Sequence, residues 1–207
     1  MMIDNIFRNG QFWWPAYEKS PEKALSEVQR GVRSAMDAMR LVKSKRIIVQ
    51  AGGHAGLVPL ILSSQFAMVI TYEAQKLLFD CMVMNIKDSG RTNIMPVNLA
   101  LGDMNQIGVK LRAHGNSGGW RVDEKGTVPV EQVTIDSLDL KICDAIFLDV
   151  EGYEPNVLRG AAETIARCRP IIQCEMLPRS EKRIRAIMKE YRYRIGAPGR
   201  DTVFLPC

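Results

Sequence analysis

Residues 144–176 have the sequence "DAIFLDVEGYEPNVLRGAAETIARCRPIIQCEM". Two short apolar runs in this stretch end in carboxylates, at Asp149 and Glu175, and a segment with helical periodicity lies between them. We therefore predict two adjacent parallel strands, with Glu151 in the turn after the first. Because the carboxyl ends of parallel strands meet at one edge of a sheet, the three carboxylates are expected to lie together. Clustered like charges raise one another's pKa values and require a partner, so this edge is a candidate functional site.

From residue 46 onward, short apolar strands alternate with helices, which predicts an α/β fold with a mostly parallel sheet and helices on both faces. Residues 1–45 form an N-terminal part, with an aromatic segment and a helix packed on the core, and residues 46–207 form the main domain. The aromatic cluster FWWPAY, residues 12–17, is either a plug packed on the domain or a platform on which a base or sugar stacks. The predicted strands span residues 46–51, 67–72, 93–99, 144–150, 170–175, 192–196 and 202–205. The predicted helices span residues 20–43, 56–64, 74–88, 155–167 and 180–190.

Residues 103–134 interrupt this alternation, because they hold five glycines and short β-like pieces without a helical period. They predict an inserted hairpin and loop near the carboxyl edge of the sheet, where ligands bind in open α/β folds. This segment is a candidate substrate lid, and His114, Asn116 and Trp120 within it are candidate substrate contacts. Tyr153, in the turn after the fourth strand, is another. A solvent-exposed loop residue is the alternative interpretation of His114.

The segment "IIVQAGGHAGLVPL", residues 47–60, predicts a buried strand, a glycine-rich turn and a helix, a common arrangement for holding a nucleotide. It lacks the lysine and the spacing of a phosphate-binding P-loop, which argues against ATP hydrolysis. The dinucleotide fingerprint would need glycines at positions 54 and 57, so a nicotinamide or flavin enzyme is also disfavoured. The remaining option is the looser acid-x-GxGxG turn that binds S-adenosylmethionine (SAM). Its four positions are filled here by Gln50, Gly52, His54 and Gly56.

A carboxylate ends the next predicted strand. Glu73 lies 21 residues beyond Gly52, where it would face the two hydroxyls of a bound ribose. A carboxylate accepts from both hydroxyls at once, which is the physical reason for an acid at this position. The alternative is an ordinary glutamate that caps the helix beginning near residue 75.

Composition bounds the class of protein. The chain has 207 residues, of which 46% are hydrophobic and 25% charged, as expected for one globular domain with a full core. Its longest apolar runs are too short to span a membrane, and it begins without the pattern of a secretory signal, so we expect a cytoplasmic protein without membrane contact. The five cysteines lack CxxC spacing, which favours reduced thiols over disulfides or zinc.

The net charge of +5 is concentrated in residues 179–194, "RSEKRIRAIMKEYRYR". One interpretation is a solvated helix that turns Ile184, Ile187, Met188 and Tyr191 to the core. The other is a patch for an anionic partner such as a nucleic acid or a nucleotide sugar.

Six segments, in order along residues 46–176, resemble the recurring motifs of the FkbM family of SAM-dependent methyltransferases: "QAGGHAG", "TYEA", "NLALGD", "TIDSL", "LDVEGYEPNVLRGA" and "RPIIQCEM". The resemblance implies a Rossmann-like class I methyltransferase fold, with a seven-stranded sheet whose last strand is antiparallel. It also implies SAM as the cofactor and O-methylation of a hydroxyl on a sugar or small molecule. The "VQAGG" form of the turn further resembles bacteriophage-encoded members. The implied cofactor contacts are Gln50, Gly52, Gly53, His54, Gly56, Glu73, Ala74, Ala100 and Asp149.

Two positions depart from the family pattern. Gln50 stands where the family has Asp; it can accept a hydrogen bond from the cofactor's amino group but lacks the charge attraction, an effect of roughly 1 to 2 kcal/mol. His54 stands where the family has Asn, and is either a donor to the cofactor carboxylate or a plain turn residue. We therefore expect weakened but retained SAM binding.

The acceptor side of the site is less specified. Asp149 or Glu151 is the predicted proton acceptor for the hydroxyl of a small molecule or glycan, with Glu175 in reserve. A cap for the helix after Pro155 is the structural alternative for Glu151. A divalent cation that bridges the carboxylates to a substrate diol is a further option, although the sequence alone assigns no metal. Two other classes stay open: a degenerate methyltransferase fold that acts as a binding module, and a methyltransferase that modifies nucleic acid. The sequence leaves the methyl acceptor and the oligomeric state open.

Overall fold

The computed structural model describes residues 2–3, 5–113 and 117–207. The strands are β1 (Met2–Ile3), β2 (Ile6–Asn9), β3 (Phe12–Pro15), β4 (Ile47–Ala51), β5 (Met68–Tyr72), β6 (Ile94–Val97), β7 (Ala100–Leu101), β8 (Gln106–Arg112), β9 (Arg121–Val122), β10 (Val128–Val133), β11 (Ala145–Leu148), β12 (Ile171–Glu175), β13 (Tyr193–Ala197) and β14 (Asp201–Pro206). The α-helices are α1 (Pro21–Met39), α2 (Leu57–Leu62), α3 (Lys76–Ser89), α4 (Glu154–Arg159), α5 (Ala162–Cys168) and α6 (Glu181–Glu190), and a 3-10 helix spans Asp136–Leu138.

A seven-stranded sheet forms the centre of the protein, in the order β13-β14-β12-β11-β4-β5-β6. The pairs from β12 to β6 are parallel, whereas β14 is antiparallel to both of its neighbours. The predicted α/β fold is therefore confirmed, including the seven strands and the antiparallel last strand.

The sheet separates two hydrophobic cores, because successive residues of a strand point to opposite faces. On β4, Ile48 belongs to the core with α1, α2 and α3, whereas Val49 belongs to the core with α4, α5 and α6. Helices cover both faces, as predicted. On α6, the predicted buried face is confirmed, since Ile184, Ile187 and Met188 are at most 2% exposed.

The predicted helix over residues 155–167 is wrong as a single element. The structure breaks it into α4 and α5 at Gly160, where a Cβ would lie 1.9 Å from the carbonyl oxygen of Gly102. The second piece has its own cap, because the carboxylate of Asp136 accepts from the backbone N–H groups of Glu163 and Thr164 at 3.0 and 2.8 Å. The helix predicted over residues 20–43 also ends early, at Met39. No helix in the described part of the chain is long and apolar enough to cross a membrane.

The segment from residue 103 to 134 contributes to a second sheet. Its strands β8 and β10 are antiparallel, β9 pairs with β8, and β7 pairs with β10 in parallel, which gives the order β7-β10-β8-β9. The hairpin predicted here thus extends into a four-stranded sheet. Two of the candidate substrate residues, His114 and Asn116, lie outside the described residues.

The N-terminal strands β1, β2 and β3 form a small antiparallel sheet that packs against α3. Trp13 and Trp14 on β3 are only 3% and 1% exposed, so both indoles pack in the interior. The buried side chain of Asn85 on α3 accepts from the Trp13 N–H at 2.7 Å and donates to the carbonyl oxygens of Trp13 and Ala55 at 3.1 and 2.8 Å. One amide therefore connects the N-terminal sheet, α3 and the glycine-rich turn.

We expect Asn85→Ala to lower the free energy of unfolding by about 2 to 4 kcal/mol, because three buried backbone groups lose their partners. Urea denaturation followed by tryptophan fluorescence measures this loss. Lys87→Ala, on the exposed side of the same helix, is the control and should change stability by less than about 0.5 kcal/mol. Equal stability of the two variants would show that Asn85 does not fasten the N-terminal sheet.

Candidate functional site

The glycine-rich turn passes directly over the end of the neighbouring strand β11. Gly52 has a φ of +84°, and a Cβ at this position would lie 1.9 Å from the carbonyl oxygen of Asp149. The N–H groups of Gly52 and Gly53 both donate to the carbonyl oxygen of Tyr72, at 3.0 and 2.9 Å. Only glycine fits position 52, since both the backbone conformation and the approach to β11 exclude a side chain.

Glu73, at the end of β5, is fixed by this turn. Its Oε2 accepts from the backbone N–H of His54 at 2.8 Å, and its Oε1 accepts from the backbone N–H of Gln75 at 2.8 Å. Burial raises the pKa of Glu73 to about 7, and these two hydrogen bonds oppose that rise. The helix cap is supplied by Gln75, whose Oε1 accepts from the Leu78 N–H at 2.7 Å. Glu73 is therefore free of the capping role considered from the sequence.

Three of the predicted cofactor residues, Gln50, Gly53 and Gly56, face the interior of the protein. Gln50 is 2% exposed; its Oε1 accepts from the Thr71 hydroxyl, and its Nε2 donates to the carbonyl oxygen of Gly52 at 2.9 Å. At Gly53 and Gly56 an added Cβ would lie 2.8 and 3.0 Å from the side chain of Met82. All three lie outside the described lining of the main cavity.

A cavity of about 520 Å³ opens beside the turn, at the carboxyl edge of the parallel strands. This volume is typical of small-molecule sites. The cavity brings together residues that the sequence predicted separately from five segments of the chain. The predicted residues that line it are Gly52, His54, Glu73, Ala74, Ala100, Trp120, Asp149, Glu151 and Tyr153.

The three predicted catalytic carboxylates meet at one end of this cavity. One oxygen of each of Asp149, Glu151 and Glu175 lies within 4.8 Å of the corresponding oxygens of the other two. Asp149 is exposed only toward the cavity, and protein atoms surround it on the other sides. The loss of solvation, together with the nearby charge of Glu175, raises the pKa of Asp149 well above its ordinary value. Burial and Glu175 also raise the pKa of Glu151, against the opposing charge of Arg179.

Arginines hold two of these carboxylates. Glu175 is 1% exposed, and its Oε1 accepts from the Nε and Nη2 of Arg200 at 3.0 and 2.5 Å. Arg179 donates through Nη2 to the carbonyl oxygen of Glu151 at 2.7 Å, and also lies 3.4 Å from Glu151 Oε2. Arg179 belongs to the basic segment in the sequence, but here it braces the site.

Glu154 fills the structural role considered for Glu151. The Glu154 side chain is fully buried, and its Oε1 accepts from the backbone N–H groups of Val150 and Gly152 at 3.1 Å each. This carboxylate therefore shapes the turn between β11 and α4. Glu151, at a positive φ of 54° in that turn, keeps its side chain on the cavity.

The sequence analysis missed Arg200 and Asp201, which also line the cavity. It placed only strand ends at the functional edge, but an antiparallel strand begins where its parallel neighbours end. β14 is such a strand: its first residue, Asp201, lies opposite Glu175, the last residue of β12. The implied antiparallel last strand was the signal that would have found them.

A second missed group is a buried hydrogen-bond chain above the turn. The hydroxyl of Ser117 donates to Oε2 of Glu18 at 2.5 Å and lies 3.1 Å from Nε2 of His54. Burial opposes ionisation of Glu18, but hydrogen bonds from Ser117 and from the Ser20 N–H outweigh it and lower the Glu18 pKa. Because the Ser117 proton goes to a carboxylate, Nε2 of His54 must donate to Ser117, and Nδ1 carries no proton. His54 therefore links the glycine-rich turn to the N-terminal segment and to the inserted sheet.

Two of the predicted substrate contacts are placed by the structure. Tyr153 donates its hydroxyl to Oε1 of Gln132 at 3.1 Å, which ties the turn after β11 to β10. The Trp120 ring lies 6.5 Å from that of Tyr17, between centroids. Both side chains border the cavity.

Comparison with known proteins gives a family and a fold. Residues 69–195 match the sequence profile described as methyltransferase FkbM domain. Comparison with curated protein sequences gave no match. The chain is similar to the structure of methyltransferase FkbM from Methylobacillus flagellatus KT, with a TM-score of 0.59 and 19% identity over 78% of this chain and 43% of that chain. This chain thus spans less than half the length of that protein.

Two further structures share the fold. A precorrin-6y C5,15-methyltransferase from Geobacter metallireducens GS-15 has a TM-score of 0.56 and 10% identity, over 86% of each chain. A precorrin 8w decarboxylase from Methanobacterium thermoautotrophicum has a TM-score of 0.53 and 13% identity, over 84% of this chain and 90% of that chain. At these identities the likeness is one of fold alone.

His54 makes a testable contribution to the pH dependence of stability. Burial lowers its pKa to about 4, whereas in the unfolded chain it has the ordinary value of about 6.5. The unfolded state therefore binds the proton first, so the stabilisation is present above pH 6.5 and is lost as the pH falls towards 4. We expect wild type to lose about 1 to 2 kcal/mol more than His54→Asn between pH 7.5 and pH 5, measured by urea unfolding. Asn tolerates the positive φ at this position. Parallel stability curves would contradict the burial of a neutral His54.

Proposed function

Because the chain belongs to the methyltransferase FkbM domain family, we propose that it transfers a methyl group from SAM to a hydroxyl oxygen of a sugar or another small molecule. One observation carries the proposal. The cavity joins the Gly52 turn and the Glu73 carboxylate, which suit the nucleoside, to the Asp149–Glu151 turn, which suits a reacting hydroxyl. A cofactor and part of an acceptor would thus share one enclosure.

The residues present fit SAM. Each oxygen of Glu73 accepts one backbone N–H and keeps a lone pair for a ribose hydroxyl. The absent side chain at Gly52 lets a ligand approach the backbone closely. Carboxylates outnumber guanidinium groups in the cavity lining, which favours a ligand that carries a sulfonium and an ammonium.

The amino end of SAM would be held differently from the family pattern. The oxygen of Gln50 is engaged with Thr71, and its side chain lies below the turn. Asp201 also lines the cavity, and its carboxylate would give an ammonium the charge attraction that Gln50 lacks. The departure at position 50 therefore need not abolish binding.

In methyl transfer the protein must align an acceptor and receive its proton. SAM supplies a methyl group on a sulfonium, which is already a good leaving group. Asp149 and Glu151 line the cavity, and either carboxylate would accept the hydroxyl proton. Glu175, held by Arg200, lies close to both of them. Trp120 and Tyr153 also line the cavity, and their rings would contact a sugar ring or another acceptor with an apolar face.

A second candidate function is methylation of a nucleic acid, favoured by the surface of α6. Lys182, Arg183 and Lys189 are exposed on this helix, on the side away from its buried residues. Such a row of cations is suited to phosphates. The small-molecule acceptor is preferred because the acidic end of the cavity, where transfer would occur, repels a polyanion.

Glu73→Ala should reduce SAM affinity at least about 100-fold, because two hydrogen bonds to a charged group, each worth roughly 1.5 to 3 kcal/mol, are lost. Isothermal titration calorimetry with SAM and with S-adenosylhomocysteine measures the change. Glu131→Ala, an exposed carboxylate on β10, is the control and should bind as wild type does. A panel of hydroxyl acceptors with methyl-labelled SAM then tests transfer.

The opposite result is equally clear. If wild type gives neither heat nor thermal stabilisation with millimolar SAM, the proposed function is rejected. The fold would then serve as a binding module.

The second candidate predicts retention on an immobilised oligonucleotide at low salt, with elution as the salt concentration rises. The double variant Lys182→Glu, Arg183→Glu should elute at a markedly lower salt concentration, while Lys43→Glu with Lys45→Glu, which makes the same charge change before β4, should elute close to wild type. If wild type is not retained, or if both pairs shift elution equally, α6 is not a nucleic-acid surface.

A further inference from the structure

We propose that Asp149, Glu151 and Glu175 form a binding site for a hard divalent cation, and that the cation holds the acceptor through two neighbouring oxygens. The cation site stands on the geometry of this chain alone. The further statement that the cation holds the acceptor rests on the proposed function.

The spacing of the three carboxylates fits a single coordination sphere. One oxygen of each lies within 4.8 Å of the other two. Oxygens bound to one cation at about 2.1 Å for magnesium or about 2.4 Å for calcium are separated by at most about twice those distances, so roughly 4 to 5 Å. Small side-chain rotations would therefore bring all three oxygens onto one ion. Carboxylate oxygens are the ligands that magnesium, manganese and calcium prefer.

Glu175 provides the second, independent observation. Its side chain is 1% exposed, and both donors of Arg200 are directed to Oε1. Oε2 has no hydrogen-bond partner among the described residues, although it is buried. A buried carboxylate oxygen without a partner is unfavourable, so native proteins rarely leave one unsatisfied. A cation shared with Asp149 and Glu151 would satisfy it.

The surrounding backbone holds the ligands in place before any ion binds. Asp149 follows β11 at the centre of the sheet, and Glu175 ends the adjacent strand β12. Glu151 is fixed by Arg179 at its carbonyl oxygen and by the turn that Glu154 braces. Preorganised ligands lower the cost of binding, because less side-chain freedom is lost.

The position of the site indicates what else the cation would bind. Asp149 and Glu151 border the cavity, whereas Glu175 lies behind them in the protein interior. Three protein oxygens on this side leave the remaining coordination positions of an octahedral ion directed to the cavity. An acceptor with two adjacent oxygens, such as a vicinal diol or a hydroxy acid, would occupy two of them. If Asp149 binds the cation through one oxygen, its second oxygen can still accept the hydroxyl proton, whereas the second oxygen of Glu175 is held by Arg200.

The test is Mn²⁺ titration of the metal-stripped full chain, followed by electron paramagnetic resonance of the free ion. We expect one Mn²⁺ site that Mg²⁺ displaces, with affinity at least tenfold lower in Asp149→Asn and in Glu175→Gln. Glu163→Gln, an exposed carboxylate of α5, should bind as wild type does. Thermal unfolding of each variant verifies that it is folded, and Asp149→Asn remains informative if Glu175→Gln is not.

Two results would overturn the proposal. Absence of Mn²⁺ binding at millimolar concentration would mean that the three carboxylates do not form a cation site. Binding that survives both substitutions in folded protein would place the ion elsewhere. Because Mn²⁺ binding is measured without SAM, a protein that binds SAM but not Mn²⁺ rejects the cation site alone, and one that binds Mn²⁺ but not SAM rejects the proposed function alone.

Discussion

The contact between Gly52 and the carbonyl of Asp149 governs the rest of the site. Strands β4 and β11 lie side by side, with Ala51 opposite Leu148, so the residues that follow them emerge at the same height. Because position 52 carries no side chain, the two turns approach until their backbones touch. The two sides of the cavity that we propose for the cofactor and the acceptor are thus built from residues that follow adjacent strands. A methyl donor bound at the first turn and an acceptor bound at the second would therefore lie close together.

Two buried carboxylates stabilise the turns around this contact by accepting hydrogen bonds from backbone N–H groups. Glu73 accepts the N–H groups of His54 and Gln75, and Glu154 accepts those of Val150 and Gly152. In both cases a buried acid gains partners from the backbone whose shape it fixes, which offsets part of its desolvation. Glu175 differs, because its hydrogen-bonded oxygen is held by an arginine side chain and not by the backbone of a turn. Its carboxylate therefore does not shape a turn in the way that Glu73 and Glu154 do.

The sequence predicted most of the fold because its signals were local or followed from parallel pairing. Apolar runs gave the strands to within a few residues, and strand ends placed Glu73, Asp149 and Glu175 correctly at one edge. Predictions were less complete where distant segments meet. The break at Gly160 depends on the carbonyl of Gly102, and the chain from Glu18 through Ser117 to His54 joins three regions of the sequence. No periodicity or spacing carries such contacts.

The two departures from the family motif affect different parts of the turn. His54 has a positive φ of 48°, a conformation that Asn and His adopt more readily than most residues, so the backbone path does not require Asn. Gln50 ties the turn to β5 through Thr71 and lies outside the cavity wall that the structure describes. The substitution at position 50 therefore changes how the turn is supported, whereas His54 is itself part of the cavity lining, together with Gly52, Glu73 and Asp149. The turn keeps its backbone path with two of its four characteristic residues changed, because that path depends on Gly52 and on the hydrogen bonds to Glu73 and to the carbonyl oxygen of Tyr72.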